Sequence, residues 1–228
     1  MRLAEDLRFF YSHLCCGGAL RLLRQRLLTY RHREGMSQSS QTPRKLLLHL
    51  RVLAFERMVL ERDWADKCNG KFVVWGAGRD GKDFVKALST SDARKRVACF
   101  VDVDFNKIKG GYYVNKELQL RIPIVHFSLL ATDPEKQQEL LEQSFSIGDA
   151  NFGRINKGRN QVSKATDHTN RKKSRIQPKA SYARDFDTSI LPSLPVVVCV
   201  AMYRTSGALE RNVAGIGRTE GKDLWHFS

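Results

Sequence analysis

Short apolar runs and helical stripes divide the chain into alternating segments. Lys71-Phe72-Val73-Val74-Trp75 is a β-branched and aromatic run with the length and composition of a buried strand. It leads straight into Gly76-Ala77-Gly78-Arg79-Asp80-Gly81, after which Phe84, Val85 and Leu88 recur at helical spacing. Val97-Ala98-Cys99-Phe100-Val101 predicts a second strand ending on Asp102, and Ile122-Pro123-Ile124-Val125-His126-Phe127 a third. Pro195-Val196-Val197-Val198-Cys199-Val200 has the unbroken apolar character of a strand in a parallel sheet. Ser206-Gly207 then opens a helix through Leu209, Val213 and Ile216, halted at Gly217. Leu224 to Phe227 closes the chain as an edge strand packed by Trp225.

The N-terminal third is helical in its periodicity. Leu7, Phe10, Tyr11 and Leu14 fall on one face of a helix over residues 1–16, ended by Gly17-Gly18. Ala19 to Tyr30 predicts an edge strand, and Ser37 to Pro43 a polar linker. Leu46, Leu50, Leu53, Leu60 and Trp64, broadened by Phe55 and Val59, predict a helix from Lys45 to Trp64. Glu135 to Phe145 has room for a short helix. The stretch that follows is polar and basic, so residues 129–194 read as a disordered insertion. The expected architecture is α/β: a Rossmann-like parallel-sheet domain built from residues 70–128 and 195–228.

Strand, glycine loop, helix, strand and acidic residue stand in the order of a nucleotide-binding βαβ unit. Gly76 lets the chain turn off the strand, Gly78 lets backbone approach a ligand, and Gly81 brings the helix close to the sheet. Such a loop aims a helix N-terminus at phosphate, and Asp102 is placed to accept hydrogen bonds from a ribose. NAD or another nucleotide is the ligand such a loop would hold if it binds one. The same glycines equally serve a scaffold that keeps them for packing, and the residues leave both readings open. No Tyr-x-x-x-Lys or His-Asp pair marks a dehydrogenase. His126 reads as a strand-end residue.

Charge changes the picture in one place. The chain carries 39 Lys and Arg against 24 Asp and Glu, a net +15. Residues 151–184 hold ten of these cations and a single acid, Asp167, so one tract supplies +9. That tract, with Asn170-Arg171-Lys172-Lys173-Ser174-Arg175 at its centre, is the candidate for contact with RNA phosphates. The five cysteines form no metal or C-x-x-C spacing, and Cys99 and Cys199 lie inside strands as reduced, buried thiols. No apolar run has membrane-spanning length, and Glu5 and Asp6 interrupt any leader-like segment. A cytoplasmic protein without membrane attachment is expected.

A resemblance sharpens the functional expectation. Glu5-Asp6-Leu7-x-Phe9-Phe10-Tyr11-x-His13-Leu14, then Gly17-Gly18 and Leu27-Leu28-Thr29-Tyr30-Arg31, resembles the end of a family 2 (GT-A) glycosyltransferase domain. Phe100-x-Asp102-Val103-Asp104-x-Asn106-Lys107-Ile108-x-x-Gly111-x-Tyr113 and Gly221-x-Asp223-x-x-His226-Phe227-Ser228 are similar to the accessory part of the same proteins. The resemblance spans residues 1–35, 45–128 and 195–228. It makes residues 1–36 the remnant of the transferase domain and 37–69 a linker and helix.

The resemblance implies transfer of a hexose from a UDP-sugar. The donor and acceptor would be UDP-galactose and the queuosine of tRNA, or N-acetylglucosamine would pass to galactose. It makes Asp6 the general base on the acceptor hydroxyl and Glu5 its orienting partner. Without the resemblance, two acids at a helix start simply complement the helix dipole. Family 2 enzymes hold Mn or Mg at the diphosphate with an Asp-x-Asp in an N-terminal half that this sequence does not contain. The chain is therefore expected to be a C-terminal fragment that binds no metal and turns over no sugar by itself. Asp102-Val103-Asp104 and Asp185-Phe186-Asp187 are not assigned to metal. His32 stands beside Arg31 where the family has a spaced His, and reads as solvent-facing. The alternative is a non-catalytic nucleotide-binding or RNA-binding accessory module.

Overall fold

The computed structural model describes residues 4–21, 23, 25, 27, 29, 42–155, 186–201 and 205–227. Six strands form one sheet: β1 Phe72–Trp75, β2 Val97–Asp102, β3 Tyr112–Asn115, β4 Leu120–His126, β5 Val196–Val198 and β6 Leu224–His226. Their order is β3-β4-β2-β1-β5-β6. Every neighbouring pair is parallel except β3 with β4. A mixed α/β protein with a Rossmann-like sheet is the result.

Both faces of the sheet are covered, which is why β1 and β5 are apolar at every position. Phe72 and Val74 of β1 point into one core layer, Val73 and Trp75 into the other. The first layer is filled by α2 (Arg44–Phe55), its π-helical continuation Glu56–Asp63 and α3 (Arg79–Ala87). Phe55 is its hub, with ring centroids 5.4–5.7 Å from those of Trp64, Phe72 and Phe84. Trp64 donates its indole N–H to the Lys222 carbonyl at 3.0 Å, tying this layer to the approach of β6. Glu56 is buried and accepts from the backbone N–H of Ser89 at 2.8 Å and from its hydroxyl, so the carboxylate has partners where it is desolvated.

The second layer moves the boundaries expected of the insertion. Helix α6 runs from Pro134 to Ile155. Leu130 and Leu140 enter the core before the basic tract, and Leu191 and Leu194 enter it afterwards. A β-carbon on Gly215 of α7 (Ala208–Gly215) would stand 2.9 Å from Leu140, a measure of how closely these helices pack. Residues 129–155 and 186–194 thus contain folded elements, while the basic cluster from 157 onward lies outside the described residues.

Two short helices flank β2: α4 (Ser91–Lys95) precedes it and α5 (Phe105–Lys109) follows it. The hairpin β3–β4 adds an antiparallel edge that the apolar pattern did not announce. At the N-terminus, α1 (Glu5–Cys15) forms as expected but buries none of its residues. It leans on α2 through half-buried Tyr11 and Leu14. Of the segment expected as an edge strand, residues 19–21, 23, 25, 27 and 29 are described and carry no strand assignment; the rest of it, and His32, lie outside the described residues.

Candidate functional site

The chain leaves β1 for β2 on one side, and β5 returns to the other side of β1. This reversal opens a crevice at the carboxyl ends of β1 and β5, where open α/β sheets bind ligands. A cleft of about 460 Å³ occupies it, floored by Trp75, Gly76 and Gly78 and walled by Asp102, Lys107 and Asn212. That volume lies within the usual range for small-molecule sites.

The glycine loop has the geometry its sequence implies. Gly76 takes a φ of +109°, and a β-carbon there would also come within 2.7 Å of Val200 on the β5 side. A β-carbon on Gly81 would collide with the Gly76 carbonyl, so α3 presses directly on the turn it follows. Gly78 has open space on its β-carbon side and lines the cleft. No side chain caps α3. First-turn amides have no partner within their own helix and favour negative charge beyond the helix start.

Asp102 closes the far side of the cleft, and its carboxylate is already engaged. Oδ2 accepts from the Ala77 N–H at 2.8 Å and from the Lys107 ammonium at 2.9 Å. Oδ1 accepts from the Asp104 N–H at 3.0 Å. Its side chain is 6 % exposed, against 39 % for Lys107. Helix α5 supplies Lys107: Asp104 caps that helix by accepting from the Asn106 N–H at 2.9 Å, and Lys107 follows one turn later. The Asp102–Asp104 pair does not fit a divalent ion, because the Lys107 ammonium stands 2.9 Å from one carboxylate and 3.8 Å from the other.

Neighbouring ionisable groups are held neutral. His126 is the register partner of Asp102, stacked on Phe105 with centroids 5.1 Å apart. Its Nδ1 lies 2.9 Å from the Ser128 hydroxyl, and its Nε2 is buried without a partner. Burial pushes its pKa down to about 4, against a smaller upward pull from Asp102. Burial likewise drives the Cys99 and Cys199 thiols far upward, with Asp80 adding to the effect on Cys199. Neither sulfur is a nucleophile in this state.

Gly76, Gly78 and Asp102 therefore meet in one cleft, with Gly81 beneath it. Glu5 and Asp6 stand elsewhere, exposed in the first turn of α1, where Asp6 Oδ1 accepts from the Leu7 N–H at 2.8 Å. A second groove of about 440 Å³ runs between α1 and α2, lined by Arg8, Tyr11, Cys15 and Arg57, and neither acid lines it. Lys107 is the site residue that sequence reasoning left without a role. Its signal was the Asp104-x-x-Lys107 spacing, which puts both on one face of a short helix.

Among the described residues no three His, Cys, Asp or Glu side chains are grouped to hold a metal, and no helix is long and apolar enough to cross a membrane. Fold and cleft together define an α/β protein of Rossmann-like type. No protein-family model and no solved structure matches the chain.

Proposed function

We propose that the cleft between β1 and β5 binds the diphosphate of a nucleotide, as the accessory unit of a UDP-sugar-dependent glycosyltransferase of family 2. The observation that carries the binding half is the placement of Gly76 and Gly78 at the crevice where the sheet reverses, before an uncapped helix. There the loop exposes backbone, the helix start favours negative charge, and the cleft is large enough for a nucleotide.

The transferase half rests on the resemblance of residues 1–35 and of the Asp102-to-Tyr113 and Gly221-to-Ser228 stretches. In that reading Asp6 takes the proton of an acceptor hydroxyl and Glu5 orients it. The donor is UDP-galactose and the acceptor the queuosine of tRNA. Asp102 and Asp104, which share the Lys107 ammonium, are not assigned to the family's metal in this reading. A second reading, contact with RNA through residues 151–184, is supported by the +9 carried on that tract.

Calorimetric titration of the full chain with NAD, UDP and UDP-galactose tests the binding half. Saturable heat with at least one of them is the expected result, and silence from all three leaves a packing scaffold. For the transferase half, Asp6→Asn in the enzyme that carries this chain should lower galactose transfer by about a hundredfold or more. Nucleotide binding at the cleft should be unchanged. Undiminished transfer removes Asp6 from the chemistry.

A further inference from the structure

The structure assigns Asp102 to holding the glycine loop in its ligand-ready shape rather than to reading a ribose, so that the cleft recognises the diphosphate and is indifferent to the sugar attached. This deepens the nucleotide-binding proposal and rests on it.

A carboxylate that reads a ribose must offer acceptor sites to two hydroxyl groups at the cleft. Two carboxylate oxygens provide about four lone-pair sites in all. Three are taken: Oδ2 by the Ala77 N–H and the Lys107 ammonium, Oδ1 by the Asp104 N–H. One site remains, on a side chain that is 6 % exposed. A cis-diol cannot be held in a bidentate way there without breaking a bond the fold has made.

The bond to Ala77 gives this carboxylate a different task. Ala77 lies between the two glycines, and a Gly-x-Gly segment on its own samples many backbone conformations. Two successive bonds to the end of β2 fix it. The Gly76 N–H donates to the Val101 carbonyl at 2.8 Å, and the Ala77 N–H donates to Asp102 at 2.8 Å. Lys107 neutralises the buried carboxylate, which otherwise would repel an incoming phosphate. Pre-ordering the loop lowers the entropy lost when a ligand docks, whatever sugar that ligand carries.

Binding of inorganic pyrophosphate, UDP and 2′-deoxy-UDP to the full chain separates the possibilities. The wild-type protein is expected to bind UDP and 2′-deoxy-UDP within about threefold of one another. Asp102→Ala is expected to weaken pyrophosphate and UDP by the same factor, about tenfold, since a charge-assisted hydrogen bond is lost from the loop and not from the ligand. Asp102→Asn keeps an oxygen facing Ala77 and should recover most of that loss for both probes, a rescue that general unfolding does not give. Loss of UDP binding with pyrophosphate unchanged, or a marked preference of the wild type for UDP over its deoxy form, makes Asp102 a ribose reader and overturns the inference alone. If neither pyrophosphate nor UDP binds the wild type, the nucleotide-site proposal falls and this inference falls with it.

Discussion

The sheet and the N-terminal helix solve the same problem in opposite ways. In the sheet, both faces of β1 are sealed, and Phe72, Val73 and Val74 are wholly buried. Helix α1 buries nothing completely, and leaves Phe9 67 % and Phe10 45 % exposed. Leu20, Leu23 and Leu27 are exposed as well. Its main foothold is Tyr11, whose hydroxyl pKa is raised by burial and lowered, to a lesser degree, by Arg51. Burial of apolar area drives folding at about 25 cal/mol per Å². The sheet and its helices therefore carry the stability of the molecule, and α1 rides on it.

Removing the hub of the sealed side should have the largest effect. Phe55 is 1 % exposed and contacts aromatic rings from α3, β1 and the Trp64 turn. Phe55→Ala leaves a cavity among rings that cannot collapse into it, and should cost about 3–5 kcal/mol in chemical denaturation. A loss below about 1 kcal/mol would show that this layer is not close-packed and would dissolve the contrast with α1.

Acid should weaken the same side by a route α1 does not share. His126 has its pKa lowered from 6.5 to about 4 by burial. Unfolded, this imidazole takes up a proton as pH falls through 6.5; folded, it stays neutral until about 4. Stability is therefore intact above pH 6.5 and is lost progressively between the two values, by about 2–3 kcal/mol. In His126→Gln that component of the pH slope should disappear. Parallel stability curves for the two proteins from pH 7 to 4 would show that His126 is solvated.

The Gly81 contact joins stability to the cleft. Gly81→Ala forces a methyl group toward the Gly76 carbonyl, so α3 must move away from the loop. About 1–3 kcal/mol of stability should be lost, with nucleotide binding lost alongside it. Thermal melts and titration with UDP read both. An unchanged melting temperature would mean that the helix has room to spare.

How much of this was legible depended on what kind of signal each part leaves. The β1–loop–α3–β2 unit was plain in the sequence because strands buried on both faces must be apolar throughout, and because Gly76 and Gly81 leave no space for a side chain. Strand β3 was not legible: Tyr112-Tyr113-Val114-Asn115 is a half-exposed edge of four residues, held by pairing with β4 rather than by its own pattern. Leu140, Leu191 and Leu194 were hidden for the opposite reason. None of them lies in a regular apolar period, and each is buried by tertiary packing in the second layer. Asp102 was found from its distance to the glycine loop, but which groups it bonds was settled by α5: the Asp104-x-x-Lys107 spacing marks one helix face, and only the packing of α5 beside β2 turns Lys107 toward Asp102. For Glu5 and Asp6, the sequence carried the resemblance, and the fold places them on the least buried helix.

The smallest predicted effect bears most directly on that helix. Phe9 meets Phe10 edge-on with centroids 5.8 Å apart, yet most of its ring faces solvent. Replacing it by Ser removes little buried area and no buried hydrogen bond, so Phe9→Ser should change unfolding free energy by no more than about 0.5 kcal/mol. Urea denaturation of the two proteins under identical conditions measures the difference. A loss above about 1.5 kcal/mol would mean that Phe9 is covered in solution, as when two copies or another chain meet on α1. Repeating the titration across protein concentrations then separates these cases: self-association makes the loss grow with concentration, because the folded state is stabilised by mass action. If the small value holds, α1 contributes its exposed face to something other than the stability of this fold, which is where the exposed positions of Glu5 and Asp6 leave their proposed chemistry room to operate.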